Sequence, residues 1–209
     1  HFSMNLSYPQ HHLVKTGHIS TCQICNSSKL HTILDLGHQP LCDTLLTKEM
    51  LDQSEKNYPL RMVWCEECTD VQIDYCVDGS EVYHPEYPYK SGVTKELVEY
   101  QVKIAESLIA KYNLKPNDLV VDIGSNDGTL LSGFKGTGIR TVGVEPTKIA
   151  KIANANGIET VQAFFDIKTS DVVKSKHGEA SLIITTNTFA HMQGLGEFIM
   201  GAYNLLKED

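Results

Sequence analysis

Four of the six cysteines form two Cys-x-x-Cys pairs, the spacing at which a tight turn can offer two thiolates to one metal ion. The first pair is Cys22 and Cys25, and the second is Cys65 and Cys68. Two such turns complete a tetrahedral four-thiolate zinc site, which has no open position and is structural rather than catalytic. We therefore predict that these four cysteines bind one structural Zn²⁺ ion.

The two pairs lie far apart in the sequence, with 39 residues between Cys25 and Cys65. This exceeds the roughly 15–20 residues of a compact zinc ribbon and predicts an inserted segment between the two turns. The alternatives are ordinary buried cysteines or a redox dithiol, but a redox pair begins a helix after a strand, and neither pair has that setting. The other two cysteines, Cys42 and Cys76, lack partners at ligand spacing, and we expect packed thiols there.

A second group of functional residues lies in "VVDIGSNDGTLL", where a short apolar run ends in a glycine turn before a helical pattern. Asn126 stands where the dinucleotide fingerprint has its middle glycine, so the turn disfavours the pyrophosphate of NAD. A ligand with an ammonium or carboxylate group suits it better, and Asp122 is placed to hold an ammonium directly or through water. The candidate cofactor-binding residues here are Asp122, Gly124, Ser125, Asn126, Asp127 and Gly128.

The next apolar run ends in "VGVEP", which places an acidic residue, Glu145, 21 residues after Gly124. An acid at this place can accept both ribose hydroxyls, and it disfavours a 2′-phosphate. Together with the glycine turn, it predicts a nucleoside ligand near Glu145 and Pro146. The alternatives are that Asp122 caps a helix and that Glu145 is a solvated loop residue.

The cysteines lie in residues 20–90, where the apolar runs are short: "TILDLG", "PLRMVW" and "DVQIDYC". These runs predict a small β-rich module with a weak core, which needs a staple because it can bury few side chains. We assign residues 20–90 to this zinc-binding module. Residues 1–19 are assigned to a tag remnant and an N-terminal tail, because "HFS" precedes Met4.

Residues 91–209 have an α/β pattern. Apolar residues at spacings of three and four predict an amphipathic helix from Thr94 to Leu114, with an apolar stripe that reaches Tyr112. Four apolar runs, "DLVVDIG", "RTVGVEP", "ETVQAFF" and "ASLIITTN", then alternate with helical patterns. This alternation predicts a parallel sheet with right-handed crossovers. Since such a sheet normally continues after the last helical pattern, we expect a C-terminally truncated chain.

Charge and composition disfavour several classes of binding partner. The net charge is −8 and no Lys/Arg cluster is present, which disfavours nucleic acid. No apolar stretch approaches the ~18 residues that a membrane span needs, and the N-terminus has no signal-peptide core. We therefore expect a cytoplasmic protein with a small-molecule partner. The sequence does not determine the oligomeric state.

Long strings of the chain, in order, resemble the zinc-containing, S-adenosylmethionine-dependent sugar C-methyltransferases, the tetronitrose C-methyltransferase-like family. The strings are "CQIC", "LDLGHQPLCDTLL", "YPLRMVWCEECTDVQI", "YPYKSGVT", "DIGSNDGTLL", "GVEP" and "TTNTFAHM". The resemblance implies a zinc module, a Rossmann-like domain that binds S-adenosylmethionine, and a C-terminal domain beyond Asp209. It also implies methylation at carbon 3 of a nucleotide-linked keto-deoxysugar. Because the family's histidine-rich catalytic segment would lie beyond Asp209, we expect this piece to be nearly inactive alone.

The family chemistry removes a proton next to a keto group and lets the enolate attack the donor methyl, so it needs a base. His191 follows the fourth predicted strand at its carboxyl end, where ligands bind, and its family counterpart faces the active site. Tyr89, in "YPYKSG", is a second catalytic candidate. The alternatives are a loop histidine or helix cap for His191 and aromatic packing for Tyr89.

Three further residues are candidates for cofactor binding. Ser91 belongs to the same "YPYKSG" segment, Phe164 ends the third predicted strand beside an adenine edge, and Asn187 ends the fourth. For Phe164 and Asn187 the alternative is an ordinary core position. Two other functions stay open for the whole chain: an NAD-linked oxidoreductase, which Asn126 disfavours, and a non-catalytic zinc-ribbon interaction protein with a nucleotide-binding fold.

Overall fold

The computed structural model describes residues 16–84 and 87–208, so the predicted tag remnant and most of the predicted tail lie outside the described residues. The strands of the N-terminal part are β1 (Gly17–His18), β2 (Leu30–Pro40), β3 (Asn57–Cys65), β4 (Val71–Ile73) and β5 (Tyr75–Cys76), followed by helix α1 (Gly79–Val82). The second part contains α2 (Lys95–Tyr112), β6 (Leu119–Ile123), α3 (Thr129–Ser132), β7 (Arg140–Val144), α4 (Ala150–Ala155), β8 (Thr160–Val161), α5 (Ile167–His177), β9 (Leu182–Ile184) and α6 (Leu195–Leu205). Single 3-10 turns lie at Lys48–Met50, Ser91–Val93 and Phe189–His191.

The N-terminal part is a small antiparallel module. Strands β2, β3 and β4 form one sheet in that order, and β1 pairs with β5. Among the described residues of this module, the buried apolar side chains are Cys22, Val63, Cys65 and Cys76. This confirms the predicted β-rich module with a weak core. Cys42 is exposed, so the prediction of a packed thiol is wrong there, whereas Cys76 is buried as expected.

Helix α2 connects the module to the second part and follows the predicted bounds closely. The Oγ1 atom of Thr94 caps its first turn by accepting from the Leu97 amide, and Asn113 ends it in the left-handed conformation. The predicted apolar stripe is shorter than expected, since Tyr112 is 51% exposed. Ala105 of α2 is fully buried, and a Cβ added to Gly133 would lie 2.6 Å from the Cβ of Ala105. The glycine at position 133 therefore lets α2 pack closely against the turn after α3.

The second part is built on a four-stranded parallel sheet in the order β8-β7-β6-β9, which confirms the predicted α/β, Rossmann-like class. All five residues of the central strand β6 are buried. Side chains alternate between two faces: Val120 packs with residues of α2 and α3, and Val121 packs with residues of α5 and α6. The chain runs outward from β6 through β7 to β8 and then returns to place β9 on the other side of β6, so the strand order reverses at β6. In open α/β sheets, ligands bind at the carboxyl ends of the strands beside such a point.

Two strands are shorter than the sequence predicts. Strand β8 ends at Val161, because the Ala163 amide donates to the Val161 carbonyl and turns the chain away from the sheet. Phe164 therefore lies three residues beyond the strand rather than at its end. Strand β9 ends at Ile184, and Asn187 lies beyond it in a left-handed conformation. Within the described ranges, no helix combines the length and the apolar character that crossing a bilayer requires.

The zinc module touches the sheet edge through α1. The Gly79 amide donates to Oε1 of Gln193 at 3.3 Å, and a Cβ on Gly79 would lie 3.2 Å from the Phe164 ring. The Tyr83 ring meets the same Phe164 ring edge-on at a centroid distance of 6.4 Å. The start of α1 thus lies against the loops that follow β8 and β9.

Candidate functional site

The four predicted zinc ligands come together in the structure. The sulfur atoms of Cys22, Cys25, Cys65 and Cys68 all lie within 4.8 Å of one another. The Cys22 and Cys68 sulfurs are 3.5 Å apart, and those of Cys25 and Cys65 are 3.6 Å apart. Four thiolates at about 2.3 Å from a tetrahedral Zn²⁺ would be about 3.8 Å from one another. The cluster therefore fits a four-thiolate zinc site.

Each cysteine pair lies on a turn closed in the same way. The amide of Cys22 donates to the carbonyl of Ser27 at 2.9 Å, and the amide of Cys65 donates to the carbonyl of Asp70 at 2.9 Å. In both cases the first cysteine bonds to the residue five positions later, so both turns point two sulfurs in one direction. The inserted segment between the pairs forms β2 and most of β3, which brings Cys65 back beside the first turn.

The cysteine thiols differ in their surroundings. Burial raises the pKa of Cys22 to about 12. Backbone amides, first that of Cys68 and then that of Glu67, lower the pKa of Cys65 to about 7. A divalent cation bound by the four sulfurs would favour the thiolate form of all of them.

The glycine turn begins where β6 ends. Gly124 has a φ of +75°, and its amide and that of Ser125 both donate to the Val144 carbonyl at the end of β7, at 2.8 and 3.1 Å. A Cβ on Gly124 would lie 2.2 Å from Oγ1 of Thr188, which follows β9. Gly124 is thus required both for the backbone conformation and for the close approach of the loop after β9.

Two polar atoms at the glycine turn are buried and have no hydrogen-bond partner among the described residues. Oδ1 of Asp122, which is 2% exposed, and Oγ of Ser125, which is 4% exposed, accept no hydrogen bond within the part of the chain that the structure describes. Burial, together with the nearby carboxylate of Glu145, raises the pKa of Asp122 to about 8. Unpaired buried polar atoms at a strand end are a typical sign of a binding site, because a ligand can satisfy them.

Glu145 is buried and holds two loops together. Its Oε2 accepts from the Asn126 amide at 3.1 Å, and its Oε1 accepts from the amide and the hydroxyl of Thr147 at 2.9 and 2.7 Å. Three of the roughly four acceptor positions of the carboxylate are therefore filled. A ribose hydroxyl has room for one direct bond to Glu145, and a second would have to displace the Thr147 hydroxyl. The neighbouring Pro146 is partly buried.

Asn126 and Asp127 use their side chains within the protein. The Asn126 side chain accepts from the Ser91 amide at 2.8 Å and donates to the Tyr89 carbonyl at 3.1 Å. Asp127 accepts from the Gly92 amide at 2.8 Å. The structure thus brings the "YPYKSG" segment, with its predicted residues Tyr89 and Ser91, directly onto the glycine turn.

The remaining predicted residues lie on loops at the same sheet edge. Phe164 is 44% exposed, Asn187 is exposed, and His191 is exposed at the end of the 3-10 turn after β9. The His191 amide donates to the Thr188 carbonyl at 2.9 Å, and Thr188 packs on Gly124. His191 is therefore linked to the glycine turn through Thr188.

Sequence reasoning missed three residues that shape this site: Gly143, Thr147 and Thr188. A Cβ on Gly143 would lie 2.4 Å from Oγ of Ser125, so the glycine makes room for that side chain. A glycine inside the apolar run "RTVGVEP" is a known sign of close backbone approach and could have indicated this contact. A threonine two residues after an acid, as in "EPT", can bond back to it, which was a weaker signal for Thr147.

Comparison with known proteins finds a family model that matches the N-terminal part of the chain and a relative that is similar over most of it. The Methyltransf_13 family model, described as "Putative zinc binding domain", matches residues 22–83, the part that holds the four cysteines. C-methyltransferase NovU from Streptomyces niveus is 29% identical over 192 residues, which are 91% of this chain and 46% of that protein. The chain therefore spans about half the length of the curated relative that it matches.

Solved methyltransferase structures overlap with the chain in part. Coclaurine N-methyltransferase, solved with N-methylheliamine and S-adenosylhomocysteine, aligns with a TM-score of 0.44 at 16% identity, over 58% of this chain and 37% of that one. Magnesium protoporphyrin IX methyltransferase from Synechocystis PCC 6803, solved with S-adenosylhomocysteine, aligns with a TM-score of 0.42 at 14% identity, over 57% and 59% of the two chains. For this chain, the strand order and the glycine turn carry the fold assignment.

Proposed function

We propose that the protein is an S-adenosylmethionine-dependent C-methyltransferase that acts on a nucleotide-linked keto-deoxysugar. The observation that carries the proposal is the glycine turn after β6, with Glu145 at the end of the next strand and with Oδ1 of Asp122 buried at the turn, where no described residue bonds to it. The sequence resemblance and the similarity to a C-methyltransferase over 91% of the chain support the same reaction class. The sugar acceptor rests on the resemblance alone.

Asp122 and Ser125 are the residues we assign to the amino-acid end of the donor. In this proposal the ammonium group of the donor hydrogen-bonds to Oδ1 of Asp122, directly or through water. The negative charge of the Asp122 carboxylate balances the positive charge of the ammonium group. A cation beside Asp122 would favour the ionised carboxylate and lower its raised pKa. Glu145 accepts from the ribose, and the exposed Phe164 ring borders the adenine. When bound, the donor supplies an electrophilic methyl group on a sulfonium sulfur.

Proton removal from the acceptor carbon is assigned to the loop after β9. His191 is exposed there, and its turn is anchored to Thr188 beside the glycine turn. An imidazole has the appropriate basicity to accept a proton near neutral pH, which is what formation of an enolate requires. We assign the acceptor side of the site to His191 and Tyr89, both of which expose their side chains.

The zinc ion has a structural role in this proposal. The four thiolates of the module would fill its coordination sphere and leave no position for substrate. Its effect on the donor site is indirect, because α1 of the zinc module packs on Phe164 and bonds to Gln193.

Calorimetry on the zinc-loaded protein tests the proposal. We expect S-adenosylhomocysteine to bind one per chain and NAD to give no heat, since Asn126 fills the position where NAD binding needs a glycine. Binding of NAD instead would favour an oxidoreductase. Binding of neither ligand would favour a non-catalytic zinc protein and would overturn the proposal.

A further inference from the structure

Residues 89–92 lie across the glycine turn and are held there by the side chains of two residues of that turn. Both ends of the Asn126 amide are used: its oxygen accepts from the Ser91 amide at 2.8 Å, and its nitrogen donates to the Tyr89 carbonyl at 3.1 Å. The Asp127 carboxylate accepts from the Gly92 amide at 2.8 Å. Three hydrogen bonds in four residues thus join this segment, here called the strap, to the turn.

The contact between strap and turn is close, and it is shielded from water at its centre. Ser91 and Asn126 are each 8% exposed, so the hydrogen bond between them is shielded from water, whereas the bond from the Gly92 amide to Asp127 is exposed. A Cβ on Gly92 would lie 2.9 Å from Oδ2 of Asp127 and 2.9 Å from Oγ1 of Thr129. Since Gly92 has a φ of −83°, its backbone does not require glycine. A Cβ there would instead press on two side-chain oxygens of the turn, one of which, Oδ2 of Asp127, accepts from the Gly92 amide.

The side chains of Asn126 and Asp127, which hold the strap, are here called the clamp, and the backbone of Asn126 also suits this role. Asn126 has a φ of +53°, a conformation that asparagine tolerates better than most residues. A glycine would hold the same backbone, but it would offer nothing to the strap. The two bonds to the strap therefore explain why a side chain is needed at Asn126, while its backbone N–H donates to the Glu145 carboxylate.

We propose that Asn126 and Asp127 are positioning residues, which fix the strap against the glycine turn and so place Ser91 beside the donor and Tyr89 on the acceptor side of the site. This inference rests on the proposed donor site at the same turn. It gives both residues a role through their contacts with the strap, in place of direct side-chain contact with the donor.

Hydrogen–deuterium exchange at individual amides of the zinc-loaded protein tests the clamp without any ligand. In Asn126→Gly the Ser91 amide loses its acceptor, and we expect its exchange to accelerate about tenfold, as the loss of about 1.4 kcal/mol implies. Gly92→Ala perturbs the same contact from the strap side, and it should accelerate exchange of the backbone amides of residues 91 and 92. Gly196→Ala is the matched control, because nothing lies within 4 Å of a Cβ there.

Affinity for S-adenosylhomocysteine is the second measurement on the same samples. We expect both strap variants to weaken binding about tenfold while the amides of β6 keep their exchange rates. Unchanged protection of the Ser91 amide in Asn126→Gly would overturn the clamp. Loss of protection with unchanged affinity, or with faster exchange throughout β6, would overturn the positioning role. If the unsubstituted protein binds no S-adenosylhomocysteine, the proposed function fails and the donor role fails with it, while exchange still shows whether the strap is clamped.

Discussion

Asn26 and Thr69 occupy equivalent positions in the two cysteine turns. Each lies four residues after the first cysteine of its pair, and each donates its amide to the carbonyl of that cysteine, at 2.9 Å in the first turn and 3.0 Å in the second. Both have a left-handed backbone, with φ of 60° for Asn26 and 63° for Thr69. Asparagine tolerates this conformation, whereas β-branched threonine is strained in it.

This equivalence predicts that Thr69→Asn stabilises the zinc module. We expect a gain of about 1 kcal/mol, the scale of the left-handed penalty for an ordinary residue. The measurement is the urea midpoint of the zinc-loaded protein, together with the rate of zinc transfer to a chelator. The reciprocal variant Asn26→Thr is the control and should destabilise by a similar amount. Equal midpoints for all three proteins would contradict the strain argument.

Removing one thiolate should release the metal. Cys65→Ser leaves three sulfurs, and we expect the zinc content to fall from about one ion per chain to near zero. Because few apolar side chains are buried in the zinc module, proteolysis should then cut it before the parallel-sheet domain. The exposed Cys42 provides the control, since Cys42→Ser should keep both zinc and protease resistance. A metal-free Cys65→Ser protein with an intact module would refute the staple role.

Glu145 should matter for both donor binding and loop packing. We expect Glu145→Ala to weaken S-adenosylhomocysteine binding by roughly 1.5–3 kcal/mol, the range for a hydrogen bond to a charged group. Calorimetry gives the dissociation constant. Thr147→Val, which removes one hydroxyl bond to the same carboxylate, separates packing from ligand contact. If both variants lose the same affinity, Glu145 acts only by holding its loop.

The buried carboxyl of Asp122 should make stability depend on pH. Its folded pKa is raised to about 8, far above its value in an unfolded chain, so the folded state holds one more proton between these two values. The favourable contribution is complete below the unfolded pKa and is lost as pH rises through about 8. Between pH 6 and 8, the free energy of unfolding should fall by up to about 1.4 kcal/mol per pH unit from this group.

Asp122→Asn tests this dependence by removing the titration. The free energy of unfolding, measured by urea titration from pH 6 to 8.5, should fall less steeply in the variant than in the parent. The difference between the two slopes isolates Asp122 from the other titrating groups. Parallel slopes would show that the Asp122 carboxyl is already ionised in the folded protein.

His191 is predicted to handle a proton rather than to bind the donor. In any form of the protein that turns over an acceptor, His191→Asn should lower turnover more than donor affinity. Proton–deuterium exchange at the acceptor carbon, measured without donor, reports the proposed step directly. The nearby exposed Asn187 offers a control, because Asn187→Ala should leave this exchange unchanged. Equal exchange in the His191 variant and the parent would remove His191 from catalysis.

The sequence by itself determined the elements whose signals are local. The apolar spacing predicts a helix from Thr94 to Leu114, and the structure has it at Lys95–Tyr112, because residues three and four apart share one face of a helix. The run "DLVVDIG" predicts a buried parallel strand because it is short, mostly apolar and β-branched, and all five residues of the observed strand Leu119–Ile123 are buried. The cysteine spacing likewise indicates one metal site, since two residues between ligands suit a tight turn.

Only the tertiary structure decided how distant polar groups are paired. The sequence predicts Asn126 in a nucleoside-binding turn, but in the fold its side-chain amide bonds to the backbone of Tyr89 and Ser91, more than 30 residues earlier. Likewise, Glu145 is a strand-end acid in the sequence, and its carboxylate bridges Asn126 and Thr147 in the fold. Hydrogen bonds of this kind depend on angles and on differences in donor–acceptor distance of a few tenths of an ångström. These are set only when the strap, the turn and the sheet pack together. Residue type and spacing carry no record of that geometry.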